Sequence, residues 1–309
     1  MIKIFKTFGG YIEIPKVEKG CWINVTQPTK EEIQRISEEF NITADTVLDI
    51  LDVDERPRVE FDDTWSLIIM RIPIKNSNNS VPFHTVPLGI YMSDDFTLTL
   101  CLQDNEILPI EQVSPFREQL HQIPDVINFI LRLFVRNGNT FLRYLKEINQ
   151  QTSVIEKDLE ESIKNSELNK LLKMEKCLVY FITSIKANEI VLAKLHHSKK
   201  IVGEINEDMF EDAKIENKQA LEMAQIYSDI LSGMMDAFAS IISNNLNIVM
   251  KQLTLISILL MIPTLIASIF GMNVPNFIED SHWAMPSIII VSLFISVIGV
   301  FLFRKRRWF

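Results

Sequence analysis

Leu253 to Phe270 reads LTLISILLMIPTLIASIF and lies within Gln252 to Ile278, a run of 27 positions without a charged side chain. A bilayer core asks for about 20 apolar residues in a helix, and this stretch just reaches that. Trp283 to Phe303, WAMPSIIIVSLFISVIGVFLF, is a second such run, with Asp280 before it and Arg304 after it. Two adjacent runs predict a helical hairpin in a membrane, because uncharged stretches of this length are rare in water-soluble cores. Lys251 precedes the first run and Arg304-Lys305-Arg306-Arg307 follow the second. The loop between them, Gly271 to His282, has no Lys or Arg and carries Glu279 and Asp280. Basic flanks stay inside. Both termini are therefore expected in the cytoplasm, in a multi-pass protein of the cell (plasma or inner) membrane with this loop outside. Trp283 and Trp308 suit the interfacial belts.

The 309-residue chain is 47% hydrophobic, with a net charge of −9 and a mean hydropathy of +0.14. Acidity and hydrophobicity together imply two unlike parts. Residues 251–309 hold five of the 31 basic and two of the 40 acidic residues, leaving 26 and 38 in 1–250, a net charge of −12. That part would attract cations and be repelled by nucleic acid. Cys21, Cys101 and Cys177 lie far apart without metal-ligand spacing, which fits a reducing compartment. Met1 to Ile14 is too polar for a secretory signal.

Proline usage divides the soluble part. Nine of twelve prolines fall at or before Pro124, and none occurs between Pro124 and Pro263. The first part mixes elements. Ile2 to Phe8, Tyr11 to Ile14, Cys21 to Val25, Arg58 to Phe61, Ser66 to Ile74, Leu88 to Met92 and Thr97 to Leu102 read as strands. Thr29, followed by Lys30-Glu31-Glu32 and then Ile33, Ile36 and Phe40, reads as a helix start. Thr43 reads as another, with Val47, Ile50 and Leu51 on one face. The Pro-free part predicts long helices: apolar spacing from Asp125 to about His196, then a helix capped near Asn206. Continued into the first membrane span, the latter would cover Asp208 to Phe270, roughly 90–100 Å at 1.5 Å per residue. The expected architecture is an α/β cytoplasmic domain of mixed sheet with helices at 1–140, a cytoplasmic helical stalk at 141–250, and a transmembrane hairpin with a basic tail at 251–309.

Alternate steps of three and four along the first span meet Asn247, Met250, Thr254, Ser257, Met261, Thr264 and Ser268. Most of the residues between are Leu, Ile, Val, Pro and Ala. One face is therefore polar at the period of a coiled-coil seam. Polar groups in a membrane face protein or water. Hydroxyls also glue helices together without a pore. Continuing downward, Ser243, Ser240 and Asp236 favour a pore with an acidic mouth. Neutral oxygens lining a path with an Asp ring at its entrance suit cations, and Met250 and Met261 would be apolar constrictions. One hairpin cannot enclose water, so several copies are required.

The outer end of this helix reads Phe270-Gly271-Met272-Asn273. This resembles the CorA-type magnesium channels, whose hallmark is Gly-Met-Asn at the end of the first of two C-terminal spans. Asn247 to Thr254 (NIVMKQLT), Ile230 to Asp236 (ILSGMMD), Arg56 to Phe61 (RPRVEF) and the tail RKRRWF extend the likeness across the chain. Phe270 stands where the family often has Tyr, and the loop lacks the frequent Met-Pro-Glu run, although Glu279 sits at a similar distance from Asn273. The intact Met272 favours the magnesium branch over the zinc-transporting one.

The resemblance implies a homopentamer whose first span lines the pore and whose second packs outside it. It implies that Gly271 and Asn273 hold the water shell of a hydrated Mg²⁺, which dehydrates reluctantly. It also implies that Thr264 and Asn247 receive the ion deeper, and that Met250, Leu253 and Met261 form the hydrophobic constriction. Cytoplasmic Mg²⁺ is expected to close the channel, with Asp212 matching one regulatory position; Asp62 and Asp63 are acidic candidates for a partner without an assignment. Glu279 and Asp280 would attract ions outside. Co²⁺, Ni²⁺ or Zn²⁺ transport on the same fold, and a non-conducting membrane scaffold or sensor, are the competing readings. No catalytic constellation is visible, so an enzyme is not expected. His196-His197 reads as helix surface and Cys101 as core.

Overall fold

A computed structural model describes residues 1–8, 12–76, 81–108, 125–162, 165–198, 205–272 and 283–305. They form two compact units, Met1–Gly233 and Met234–Phe309. The first is built on a six-stranded sheet of order β1-β2-β6-β5-β4-β3. The strands are β1 (Ile2–Phe5), β2 (Cys21–Thr26), β3 (Arg58–Phe61), β4 (Trp65–Lys75), β5 (Phe83–Ser93) and β6 (Phe96–Cys101). All neighbours are antiparallel except β2 and β6, which makes the sheet mixed, as the sequence led one to expect. Helices α1 (Lys30–Phe40) and α2 (Ala44–Leu51) follow β2; α3 (Val126–Glu161) and α4 (Asn165–His196) follow β6. Helix α5 (Glu207–Phe270) contributes residues to both units, and α6 (Ala284–Lys305) belongs to the second.

Strand alternation sends side chains to two separate cores. On β4, Leu67 and Ile69 join the cluster that holds Ile36 of α1 and Val47 and Ile50 of α2. Ile68, Met70, Ile72 and Ile74 join the cluster that holds Phe129, Ile130 and Phe134 of α3, Val191 and Leu195 of α4, and Phe210 and Ala213 of α5. Gly89 of β5 permits the close seat of α2: a Cβ there would lie 2.5 Å from Ile50 Cγ2. Gly138 plays the same part between α3 and α5, where a Cβ would lie 2.9 Å from Glu216 Cβ.

Both short helices start at the predicted caps. Thr29 and Glu32 form a capping box, with Glu32 N–H donating to Thr29 Oγ1 (3.2 Å) and Thr29 N–H to Glu32 Oε2 (2.9 Å). Thr43 Oγ1 accepts from Thr46 N–H (3.3 Å). At α5, Asn206 Oδ1 accepts from Met209 N–H (3.2 Å). Four local expectations differ from the fold, the first being that the strand read over Ile2 to Phe8 ends at Phe5. Of Tyr11 to Ile14, Tyr11 lies outside the described residues and the rest makes only a bridge, Phe5 to Glu13, since Pro15 has no N–H to carry a ladder onward. The helical stretch from Asp125 to His196 is divided after Glu161. Two glutamates end α3 with no basic residue in its last turn, the wrong charge for a helix C-terminus. Strand β5 begins five residues before the predicted Leu88, and it runs through Pro87.

Proline is tolerated there because of pairing parity. Arg71 pairs with Pro87 and Pro73 with Thr85, and the Arg71 N–H points away from β5. Strand β3 covers β4 only at Ser66–Ile69, and β6 covers β5 only at Leu88–Met92. Neither proline nitrogen is therefore asked for a ladder bond. The open edge of β4 is met by side chains: Asn188 Oδ1 accepts from Arg71 N–H (2.8 Å), and Asn188 Nδ2 (2.7 Å) and Asn137 Nδ2 (3.1 Å) donate to Arg71 C=O. Both asparagines are fully buried.

Filling the space at Gly89 should be costly, because α2 must shift off the sheet. Gly89→Ala is expected to lower stability by about 1–3 kcal/mol. Adding Ile50→Val should restore part of that loss, as read by denaturant unfolding of the full chain; no recovery in the double variant would show that Ile50 is not the obstacle.

Candidate functional site

In the second unit, α5 carries an 18-residue window of mean hydropathy 2.4, none of it buried, long and apolar enough to cross a membrane. Met285–Gly299 forms the shorter apolar stretch of α6, among the described residues. On α6, Ser292 and Ser296 are buried, and a Cβ at Gly299 would meet Ile262 Cδ1 at 3.9 Å. This small-residue face, at spacing i, i+4, i+7, is the side that α6 lays against α5. On α5 the half-buried positions include Leu255, Leu259, Ile262 and Ile266. They follow one helical face.

The polar stripe lies on another. Asn247, Met250, Leu253, Thr254, Ser257, Met261, Thr264 and Ser268 are all exposed, and so is Asp236. Steps of three and four keep Asp236, Ser240 and Ser243 on the stripe's line. The hydroxyls have a common geometry. Thr254 Oγ1 donates to Met250 C=O (2.8 Å), Ser257 Oγ to Leu253 C=O (2.9 Å) and Thr264 Oγ1 to Leu260 C=O (2.7 Å). Each hydroxyl has one proton, and here it goes to the helix's own backbone. What remains toward the exposed side is oxygen lone pairs. These three hydroxyls are thus acceptors set between methionine and leucine side chains, while the Asn247 amide carries donors as well.

The helix ends at Phe270. Gly271 N–H donates to Ala267 C=O (2.9 Å), and a Cβ at Gly271 would crowd that oxygen at 3.2 Å. Met272 is exposed at the turn. Asn273, Glu279, Asp280, His282 and Trp308 lie outside the described residues. Asp212, in the first unit, is exposed on α5. Asp62 and Asp63 are exposed in the β3–β4 turn, which Asp62 N–H closes on Trp65 C=O (2.9 Å). Among the described residues, no group of three or more His, Cys, Asp or Glu is placed to hold a metal ion. A regulatory site using Asp212 is therefore not assembled from one chain's described residues. His197 is exposed just after the end of α4, and the partly exposed His196 stacks on Phe210 (4.2 Å between centroids) with Nε2 3.3 Å from Glu207 Oε2. Cys101 is fully buried in the core, as expected.

Sequence reading missed two arrangements. One is the α6 face of Ser292, Ser296 and Gly299, whose signal was the spacing of small residues in an apolar run. The other is the polar clamp around Arg71. Its guanidinium donates to Thr85 Oγ1 (3.1 Å), Thr85 C=O (2.7 Å), Val53 C=O (2.9 Å) and Glu55 C=O (2.9 Å). Burial pushes its pKa down, and neutral acceptors hold it. Thr85 Oγ1 lies 2.8 Å from Ser184 Oγ, which ties the clamp to α4.

A mixed-sheet unit and an apolar helix pair, one helix of which is long and apolar enough to cross a membrane, define the class of chain. The chain belongs to the CorA-like Mg²⁺ transporter family, whose pattern it matches over residues 17–306. It is 28% identical over 305 residues to the cobalt/magnesium transport protein CorA of Methanocaldococcus jannaschii, covering 93% of this chain and 90% of that one. With the protein of the same name from Thermotoga maritima it shares 26% over 301 residues, covering 93% and 83%. The complete structure of the CorA magnesium transporter from M. jannaschii superimposes with a TM-score of 0.84 at 23% identity, over 100% of this chain and 99% of that one.

The exposed stripe can be checked by thiol chemistry against a silent background. Cys21, Cys101 and Cys177 are buried, and burial pushes the Cys101 and Cys177 thiols up to about 11. At pH 8 they carry little thiolate, the reactive form. In lipid vesicles, a charged thiol reagent should label Ser257→Cys and Thr264→Cys several-fold faster than Ile262→Cys. Equal rates at the three positions would mean that the stripe does not face water.

Proposed function

We propose that this protein is a channel that conducts hydrated Mg²⁺ across the cell membrane, down its electrochemical gradient, as a homopentamer gated by cytoplasmic Mg²⁺. The observation that carries this reading is the line of exposed acceptor oxygens on α5, on a face that α6 leaves uncovered. A hydrated divalent cation presents only water protons outward. A wall of acceptors matches those protons without stripping the shell, and Mg²⁺ gives up its water reluctantly. Carboxylates in the same place would hold the ion more tightly and slow its exit. Family membership and the names of both relatives support Mg²⁺ as cargo.

In this reading five copies of α5 surround the path. Met250, Leu253 and Met261 form the apolar constriction, which closes by dewetting. Thr264 and Asn247 receive the hydrated ion, Gly271 and Asn273 select it at the outer end, and Asp236 concentrates cations at the inner mouth. Glu279 and Asp280 would do the same outside. Both termini lie in the cytoplasm, with α5 and α6 as the two spans. Asp212 takes part in a regulatory site shared between copies, where cytoplasmic Mg²⁺ favours the closed population. The names of the relatives also pair cobalt with magnesium, which favours Co²⁺ as a second cargo.

Asn273→Ala should abolish Mg²⁺ uptake into vesicles while leaving assembly intact by size-exclusion chromatography. Undiminished uptake would remove Asn273 from the filter. Asp212→Ala should shift inhibition by internal Mg²⁺ to higher concentrations at unchanged maximal flux; a superimposable inhibition curve would take Asp212 out of the sensor. Uptake with Mg²⁺, Co²⁺, Ni²⁺ and Zn²⁺ in competition ranks the cargo.

A further inference from the structure

Besides the Mg²⁺ path, the first unit has a cavity of about 780 Å³ between the segment after β6 and one face of α3. Asp104, Asn105, Glu106 and Leu108 form one wall; Arg136, Asn139, Thr140 and Arg143 form the other. The first wall is firmly set. Asn105 Oδ1 accepts from Ile107 N–H (3.1 Å) and Leu108 N–H (2.8 Å), and Ile107 and Leu108 are buried in the core. Arg136 and Arg143, seven residues apart, project from one side of α3.

The two guanidiniums are unequally served. Arg143 forms an ion pair with the Glu106 carboxylate. Arg136, half-buried, donates to a single acceptor among the described residues, the Glu106 carbonyl. Arg71 is buried to a similar degree and has four acceptors. The other Arg136 nitrogens are not sealed inside protein, because the residue lines the cavity. Burial and then the neighbouring Arg143 charge push the Arg136 pKa down, and the Glu106 carboxylate offsets this only in part. The remaining carboxylate of the wall, Asp104, is engaged by Asn105 N–H (3.1 Å).

We propose that this cavity binds a small soluble oxyanion, a carboxylate or phosphate group, on the free edge of Arg136 with Arg143 beside it. A guanidinium offers paired N–H donors in a plane that matches two oxygens of either group. Thr140 Oγ1 spends its proton on Arg136 C=O (2.8 Å), and Asn139 Nδ2 gives one N–H to Val135 C=O (3.1 Å), so the second Asn139 N–H is the further donor that lines this space. The volume falls in the range of roughly 300–1,000 Å³ that holds metabolite-sized molecules. Such a site would let the cytoplasmic unit respond to an anion as well as to a cation.

The test uses the purified full-length protein in detergent, in low-salt buffer freed of divalent cations. Inorganic phosphate, citrate and adenosine triphosphate are titrated by calorimetry. At least one should bind saturably, and Arg136→Gln and Arg143→Gln should each weaken it by roughly tenfold or more. Glu106→Gln removes a negative charge from the wall and frees Arg143, so it should tighten the same anion; weaker binding in that variant would reverse the proposed sign of the site. If Arg136→Gln fails to fold, the exposed Arg143 still reports. No saturable binding of any of the three anions, or equal affinity in wild type and Arg143→Gln, overturns the proposal.

Discussion

A hydroxyl in an apolar helix must place its proton, and the nearest acceptor is the carbonyl one turn back. Thr254, Ser257 and Thr264 all take that course. The bond fixes the rotamer, and it leaves a helix face that can accept hydrogen bonds but hardly donate them. An anion finds no donors on those hydroxyls. The shell of a hydrated cation, all donors, finds acceptors at each step. In the proposed reading, suitability for a hydrated cation follows from a local bond that any Ser or Thr in a helix can make. What makes it functional is repetition on one face, together with a neighbour, α6, that packs elsewhere.

The other unit depends on close approach. Its sheet has apolar side chains on both faces, so helices must cover both. Gly89 lets α2 sit against β5, and Gly138 lets α3 and α5 meet. A buried asparagine joins the same junction: Asn217 of α5 donates to Ile185 C=O of α4 (3.3 Å). The first turns of α5 are thereby held to α4 and to the sheet core through Phe210 and Ala213. Movement at the start of α5 is thus tied to packing in the α/β core.

Local chemistry was legible in the sequence, and distant pairing was not. Thr29 and Thr43 announced their helices because a cap is decided within four residues. Arg58 to Phe61 appeared as a strand with the observed limits. The stripe was readable because its period is the helix's own. Pro87 concealed half of β5, since its acceptability depends on which neighbour lies across the sheet. The break after Glu161 lay in charge at a helix end, a weaker signal than apolar spacing. The Arg71 clamp joins residues 117 positions apart, and nothing in either local pattern points to the other. For the proposed filter, the sequence named Asn273, which lies outside the described residues.

The asparagine clamp on β4 also bears on how copies of this chain meet. A free strand edge invites a strand from another molecule. Here the Asn188 side-chain amide behaves as a one-residue strand: it accepts from the Arg71 N–H and donates to its C=O, as a neighbouring backbone would. Asn137 adds a second donor to the same carbonyl. The sheet is thereby terminated at this point by its own helices, and the route to runaway strand-to-strand polymerisation is closed there.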